Sequence, residues 1–344
     1  MKKHLIAAAV AAAVAVPAMA QNVSISGRID TSFGAFKDSA GLSTTKVSSG
    51  TMTTNQIVIQ GSEDLGQGLK ANFRVLTPFS SDTNTRVNST DNTQTGEAKN
   101  TSGFDFGGRG IQVGLSGGFG SIDLGKSTGV HANASVVTSG VLGNTTSVST
   151  GSGSLLARPN NSITYSTPTM SGFRGQVIYG AGGENDPSTN KQYEVSAYYA
   201  QGAFSGSVGY GVINDFNVTT DANSGTAGND VKEISAIANY VISNVTLRAR
   251  YLETKHDISK TSDTKGMSLG VSMPLAGALS GAIEYVDVDV KDPGTDKDFQ
   301  KFAIGLMYDF SKRTNLYGAY VKQDLKDSTK TDPTTLVVGI RHNF

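Results

Sequence analysis

The titratable residues of this 344-residue chain are spaced for electrostatics rather than for catalysis. Cysteine is absent, and beyond His4 the histidines are His131, His256 and His342. Hydrolytic chemistry needs a His held against Ser or Asp. His131 is a lone His in a polar stretch, and His342 falls on the apolar register of its segment. No Cys/His cluster has metal-ligand spacing. Gly114 to Gly120 is Gly-rich but reads as a turn with no helix after it, so it is not a phosphate loop. No cofactor is implied. The remaining signal is charge set at every second position: Arg28 and Asp30 flank Ile29, while Lys70 and Arg74 alternate with Ala71, Phe73 and Val75. Asp123 and Arg174 sit in similar segments, and Arg158 follows a long uncharged stretch. Alternation of this kind puts charges on one face of a strand and apolar groups on the other.

The same period of two recurs along the chain. Tyr193, Val195, Ala197 and Tyr199 alternate with Gln192, Glu194 and Ser196; Val245, Leu247, Ala249 and Tyr251 with Thr246, Arg248 and Arg250; Leu336, Val338, Ile340 and Phe344 with Gly339, Arg341 and Asn343. Many apolar faces end in Tyr or Phe, among them Phe33, Tyr165, Tyr179, Tyr240, Tyr285 and Tyr308. The segments run about ten residues, the length of a tilted membrane-crossing strand rather than of a sandwich strand. Gly is abundant at 41 residues and Pro scarce at 8, which suits an all-β chain.

The first residues read as an export signal. Lys2 and Lys3 precede an apolar run from Leu5 to Val16, and Ala18 and Ala20 mark a cleavage site, so residues 1–20 are expected to be removed and 21–344 to form the mature chain. Without Lys2 and Lys3, 29 basic residues become 27, against 29 acidic ones. That balance suits no polyanionic partner, nucleic acid included.

Short connections are expected at Leu65–Gly68, Gly117–Gly120, Pro168–Gly172, Gln201–Ala203, Val241–Ser243, Pro274–Ala278 and Phe310–Arg313. Seven hairpins plus a first and a last strand make sixteen. Longer polar connections are expected at 37–50, 77–108, 127–157, 181–190, 214–230, 255–263, 289–298 and 324–334. An even number of strands with alternating short and long connections describes a closed antiparallel transmembrane β-barrel, closed because lipid cannot satisfy an open sheet edge. Sixteen strands enclose an aqueous channel. The segment 127–157 stands out: it is 31 residues long, contains no Asp, Glu, Lys or Arg, and has His131 as its only titratable side chain. A loop of that length is usually functional, and it is read as folded into the lumen.

Several stretches carry a resemblance. They are Val23-Ser-Ile-Ser-Gly-Arg-Ile-Asp30, Gly61-Ser-Glu-Asp-Leu-Gly-Gln-Gly-Leu-Lys-Ala71, Val113-Gly-Leu-Ser-Gly-Gly-Phe-Gly120 with Leu124-Gly-Lys126, Asn161-Ser-Ile-Thr-Tyr-Ser166, Tyr308-Asp-Phe-Ser-Lys-Arg-Thr-Asn-Leu-Tyr317 and Val338-Gly-Ile-Arg-His-Asn-Phe344. In this order the chain resembles the trimeric general-diffusion porins of Gram-negative bacteria, most closely the betaproteobacterial type. The resemblance implies an outer-membrane location among lipids and lipopolysaccharide, and passive diffusion of small hydrophilic solutes. It also implies a homotrimer, a third external loop folded inward as the constriction, a second external loop (here 77–108) latching a neighbour, and Phe344 as an assembly signal for membrane insertion.

A constriction works by size and charge. By parity the inner wall should carry Arg28, Lys70, Arg74, Arg174, Asp30 and Asp123. Arg28, Arg74 and Arg158 are the best candidates for a basic cluster, Arg158 because it matches the family's arginine just after the inward loop. Arg109 sits on the apolar register and is held in reserve. The family usually sets acids on the inward loop against that cluster, but 127–157 has none. A unit charge about 7 Å from a permeating ion contributes roughly 0.6 kcal/mol in water. Two or three unopposed arginines therefore predict a weak to moderate anion preference. The alternatives are a solute-specific channel, which would show an aromatic slide where only Tyr198 faces inward, and, further off, an adhesin or an outer-membrane enzyme.

Overall fold

The structure is a computed structural model in which residues 22–82, 106–127, 141–146, 158–183, 190–215, 230–257, 263–292 and 295–344 are described, with backbone alone at 292, 295 and 296. The expected leader, most of 77–108, and all of 127–157 except Ser127 and residues 141–146 lie outside the described residues.

The strands are β1 (Asn22–Lys37), β2 (Ser43–Ser49), β3 (Gln56–Gly66), β4 (Leu69–Pro78), β5 (Gly110–Gly117), β6 (Gly120–Lys126), β7 (Ser162–Ser166), β8 (Phe173–Gly180) and β9 (Lys191–Gln201). The second half comprises β10 (Phe204–Asn214), β11 (Val231–Ile242), β12 (Val245–His256), β13 (Asp263–Ala276), β14 (Leu279–Asp292), β15 (Thr295–Asp296), β16 (Phe299–Asp309), β17 (Thr314–Leu325) and β18 (Thr334–Asn343). Sixteen of these build a closed antiparallel wall. The other two, β2 and β15, are short pieces within long connections. All seven expected short turns join adjacent wall strands.

The first connection differs from expectation. Ser43–Ser49 folds back along the far half of β1, from Thr31↔Ser49 to Lys37↔Ser43, while the near half pairs with β3. Its Ser- and Thr-rich sequence has no apolar parity to betray a strand, and backbone pairing supplies the stabilisation instead.

The barrel closes where β1 meets β18, in register from Arg28↔Asn343 to Lys37↔Thr334. Phe344 completes the seam: its amide donates to Gly27 O at 3.0 Å and its carbonyl accepts from Gly27 N at 2.9 Å. A side chain at Gly27 would strike the Phe344 ring, 2.5 Å from where its Cβ would sit. Closure leaves no unpaired edge, as a lipid environment requires.

The outer face is apolar and exposed, with Ile25 at 67% and Leu269 at 68%. Near the short turns it ends in Phe119, Tyr165, Phe173, Tyr199, Phe204, Tyr240, Tyr308 and Phe310. Tyr199 packs at a tilt against Phe204 (centroids 6.0 Å apart) and Tyr308 meets Phe310 edge to face (5.2 Å). An apolar band edged by aromatic rings is the surface of a barrel in a bilayer. No described helix is long and apolar enough to cross a membrane.

Candidate functional site: the inner wall of the barrel

Alternation turns the polar half of every strand into the lumen, and there the charges meet two fates. On β12–β14 they are consumed. Arg250 donates from Nε to Ser268 Oγ at 2.7 Å and from Nη2 to the Thr146 carbonyl at 2.8 Å, and the same Nη2 pairs with Glu284 Oε1. The other oxygen, Glu284 Oε2, accepts from Thr146 Oγ1 at 2.6 Å and from Val141 N at 2.8 Å. Both charged side chains have no exposed surface. A pair so deeply buried holds only because hydrogen bonds satisfy the atoms beyond the pair itself. Part of the long segment, residues 141–146, is thereby fixed to the inner wall, with Leu142 packed on Ala303 and Val321. The two ends of that segment also meet, since Ser127 N donates to Pro159 O at 3.0 Å and Ser127 Oγ lies 2.6 Å from Thr164 Oγ1.

Asp30 has a similar fate at the β1–β18 seam. It is fully buried. Its Oδ2 accepts from Met52 N (2.9 Å), Thr53 N (2.6 Å) and Thr53 Oγ1 (3.3 Å), and its Oδ1 accepts from Tyr317 OH at 2.6 Å. Its parity is inward as expected, but its carboxylate is spent on protein donors rather than presented to the lumen. Arg28 beside it is half-buried and donates from Nε to Thr54 O at 2.9 Å.

Across the lumen the wall is open. Arg74, Arg174 and Asp123 line one cavity of about 590 Å³ with Gln60, Gln112 and Gln176. Asp123 accepts from Ser121 Oγ at 3.2 Å, and Arg74 Nε is buried without a hydrogen-bond partner. Lys70 is exposed on β4, in register with Asp64 and Ser116. Arg158 is half-buried just ahead of Pro159, where the long segment returns to the wall. Arg109 Nη1 lies 3.5 Å from Gln56 Oε1, on the strand that pairs with β1 at Arg28. Arg341 approaches the Met307 sulfur at 3.6 Å. Arg28, Arg74, Arg174 and Arg341 make no ion pair among the described residues.

Alternation set Arg250 on the polar register of its strand, but nothing in the sequence told that it meets Glu284 and Thr146. Tyr317, as the partner of Asp30, gave no signal, since the two lie 287 residues apart. No cluster of His, Asp or Glu among the described residues could hold a metal ion.

Across residues 7–328 the chain matches the family described as Gram-negative porin. The chain belongs to that family. Among curated relatives, outer membrane porin protein 32 of Delftia acidovorans is 27% identical over the whole of both chains. The major outer membrane protein P.IB of Neisseria lactamica is 28% identical, again with both chains fully covered. Among solved structures, the anion-selective porin from Comamonas acidovorans superposes with a TM-score of 0.74 at 25% identity, covering 94% of this chain and all of that one. The Salmonella typhi OmpF complex with daunomycin shares the fold at a TM-score of 0.72 and 19% identity, covering 94% and 98%. This porin is thus an outer-membrane channel protein and not an enzyme. The polar, charged inner face described above is the channel wall.

Proposed function

We propose that this porin passes small hydrophilic solutes and ions by passive diffusion with a weak to moderate anion preference. The observation that carries this reading is the imbalance of available charge on the inner wall. Asp30 and Glu284 are buried and engaged, while Arg28, Arg74, Arg174 and Arg341 have no carboxylate partner among the described residues. The 31 residues from 127 to 157 add no acid. The relative from Comamonas acidovorans is described as anion-selective, which agrees.

In this reading 127–157 is the constriction loop, tied at 141–146 to Glu284 and Arg250 and bounded by Arg158. Asp123 offsets part of the field at the short-turn end. The porin works as a homotrimer: one related solved structure is described as a trimer form, and the outer face of β1 and β18 is broadly apolar, with Val23 at 52%, Phe33 at 60% and Leu336 at 57% exposed. The segment 77–108 is assigned to the latch between subunits, and Phe344 to recognition during insertion as well as to the seam. Lipid and lipopolysaccharide surround the assembly.

The test is single-channel recording in a planar bilayer under a KCl gradient. A stepwise conductance with an anion-side reversal potential, weakened by Arg158→Ala, is expected. A cation-side potential would overturn the charge assignment. A folded, heat-modifiable protein without conductance would overturn the open channel.

A further inference from the structure

We propose that residues Gly50–Asn55 form a second internal element of the constriction, a shelf that positions Arg28 and carries the long segment at Gly143 and Asn144. This deepens the channel reading above and rests on it.

Four observations support the shelf. Between β2 and β3 the chain does not return straight to the barrel rim. It turns at Gly50, with φ at +67°, and runs along the inner side of the β1–β18 seam. It is bolted there by Asp30, which accepts from the amides of Met52 and Thr53, and by Asn55, whose Oδ1 accepts from Asp30 N while Nδ2 donates to Ser49 Oγ at 2.8 Å. Met52 is buried against Tyr317, Ala319 and Val337, inward-facing residues of β17 and β18. The Thr51 and Thr53 hydroxyls also turn to the wall, 2.6 Å from Ser32 Oγ and 3.3 Å from Asp30 Oδ2.

Its outer atoms hold two things. The Thr54 carbonyl accepts Arg28 Nε, which fixes the guanidinium and leaves its two terminal nitrogens free of carboxylate. The Met52 carbonyl accepts Asn144 N at 2.9 Å, and the Gly50 carbonyl accepts Asn144 Nδ2 at 3.0 Å. The fit is close enough to dictate a residue type. Gly143 has φ at +67°, and a Cβ there would lie 2.0 Å from the Met52 carbonyl oxygen. Only glycine tolerates both that conformation and that approach. Residues 141–146 are therefore gripped from two sides, by Glu284 and Arg250 on one strand group and by the shelf on the other. The opening is bounded by both segments, and the shelf supplies part of its charge through Arg28.

The natural absence of cysteine makes the test clean. Thr54→Cys places one thiol at a half-buried position that lines a cavity of about 320 Å³ with Gly50, Phe79 and Asn144. It is reacted in the folded, bilayer-inserted porin with a sulfonate-bearing and, separately, a trimethylammonium-bearing methanethiosulfonate. Conductance should fall by roughly a third with either label, because either narrows a constriction. The anion-to-cation permeability ratio should shift in opposite directions with the two labels, by roughly two- to threefold each. A merely structural shelf would not produce that sign reversal. Ser39→Cys, on the exposed turn between β1 and β2, should label without either effect. Complete labelling of Thr54→Cys, verified by mass, with unchanged conductance and selectivity would overturn the shelf, as would a folded variant whose thiol the reagents cannot reach. Failure of the channel reading itself would look different: the unlabelled wild type would not conduct.

Discussion

Arg250 and Glu284 on β12–β14 and Arg74, Arg174 and Asp123 on β4–β8 obey the same rule of alternation. One group faces another part of its own chain and the other faces space. The first pair has no exposed surface and serves Thr146, Ser268 and Val141. The second group lines a cavity of about 590 Å³, and its arginines pair with no carboxylate among the described residues. Inward parity is thus necessary for a charge to act on a permeating ion but not sufficient. What the facing wall or loop does with the group decides whether it builds the pore or tunes it.

Variants on the two walls should separate along this line. Glu284→Ala should have the largest effect. It strands Arg250 in a buried site and frees the Val141 amide and the Thr146 hydroxyl, a loss of about 3–5 kcal/mol for a broken buried pair. The readout is the temperature at which the heat-modifiable band converts on electrophoresis, and an unchanged temperature would show that the pair is not structural. Asp30→Asn comes next. It keeps the shape but replaces a charged acceptor of Met52 N, Thr53 N and Tyr317 OH with an amide, at a cost of about 1–3 kcal/mol. The same assay should show a smaller fall, together with noisier single-channel currents as the 50–55 segment loosens. Quiet wild-type currents from this variant would argue against Asp30 as the anchor.

On the open wall the expectations reverse. Arg74→Ala and Arg174→Ala should each leave stability within about 0.5 kcal/mol. Each should reduce the anion-to-cation permeability ratio, by roughly twofold when the guanidinium lies about 7 Å from the ion path. Loss of stability with intact selectivity would invert the assignment of the two walls. The smallest effect needs no mutation. Raising KCl from 0.1 to 1 M shortens the screening length from about 10 to about 3 Å, so the preference of the wild type should decline toward unity. A preference independent of salt would point to a size filter rather than to wall charge.

Much of the architecture was legible in the sequence because a transmembrane barrel imposes one period on every strand. Ile29 between Arg28 and Asp30, or Leu269 among small polar residues, states which side faces lipid. Turns such as Gln201–Ala203 fall where that period breaks. β2 escaped because Ser43–Ser49 pairs through its backbone and buries no apolar face. The charges were legible as a set but not one by one. Glu284 meets Val141 and Thr146 across 143 and 138 residues, and Asp30 meets Tyr317 across 287. No local pattern encodes such meetings. Arg109 could only be held in reserve, because it lies ahead of β5 in a turn at 106–109, where strand parity does not apply. Gly143 carried no signal of its own in a stretch already rich in glycine.

The most direct measurement compares the two walls in one experiment: the zero-current potential across a KCl gradient for wild type, Arg74→Ala/Arg174→Ala and Arg250→Gln/Glu284→Gln, each shown to be folded by heat modifiability. The first double variant removes two arginines without a carboxylate partner, while the second removes one arginine together with the glutamate that pairs with it. An anion-side potential that survives in the second and collapses toward zero in the first is the predicted result. A potential that collapses in the second and survives in the first would contradict the division between a wall that holds the pore and a wall that tunes it.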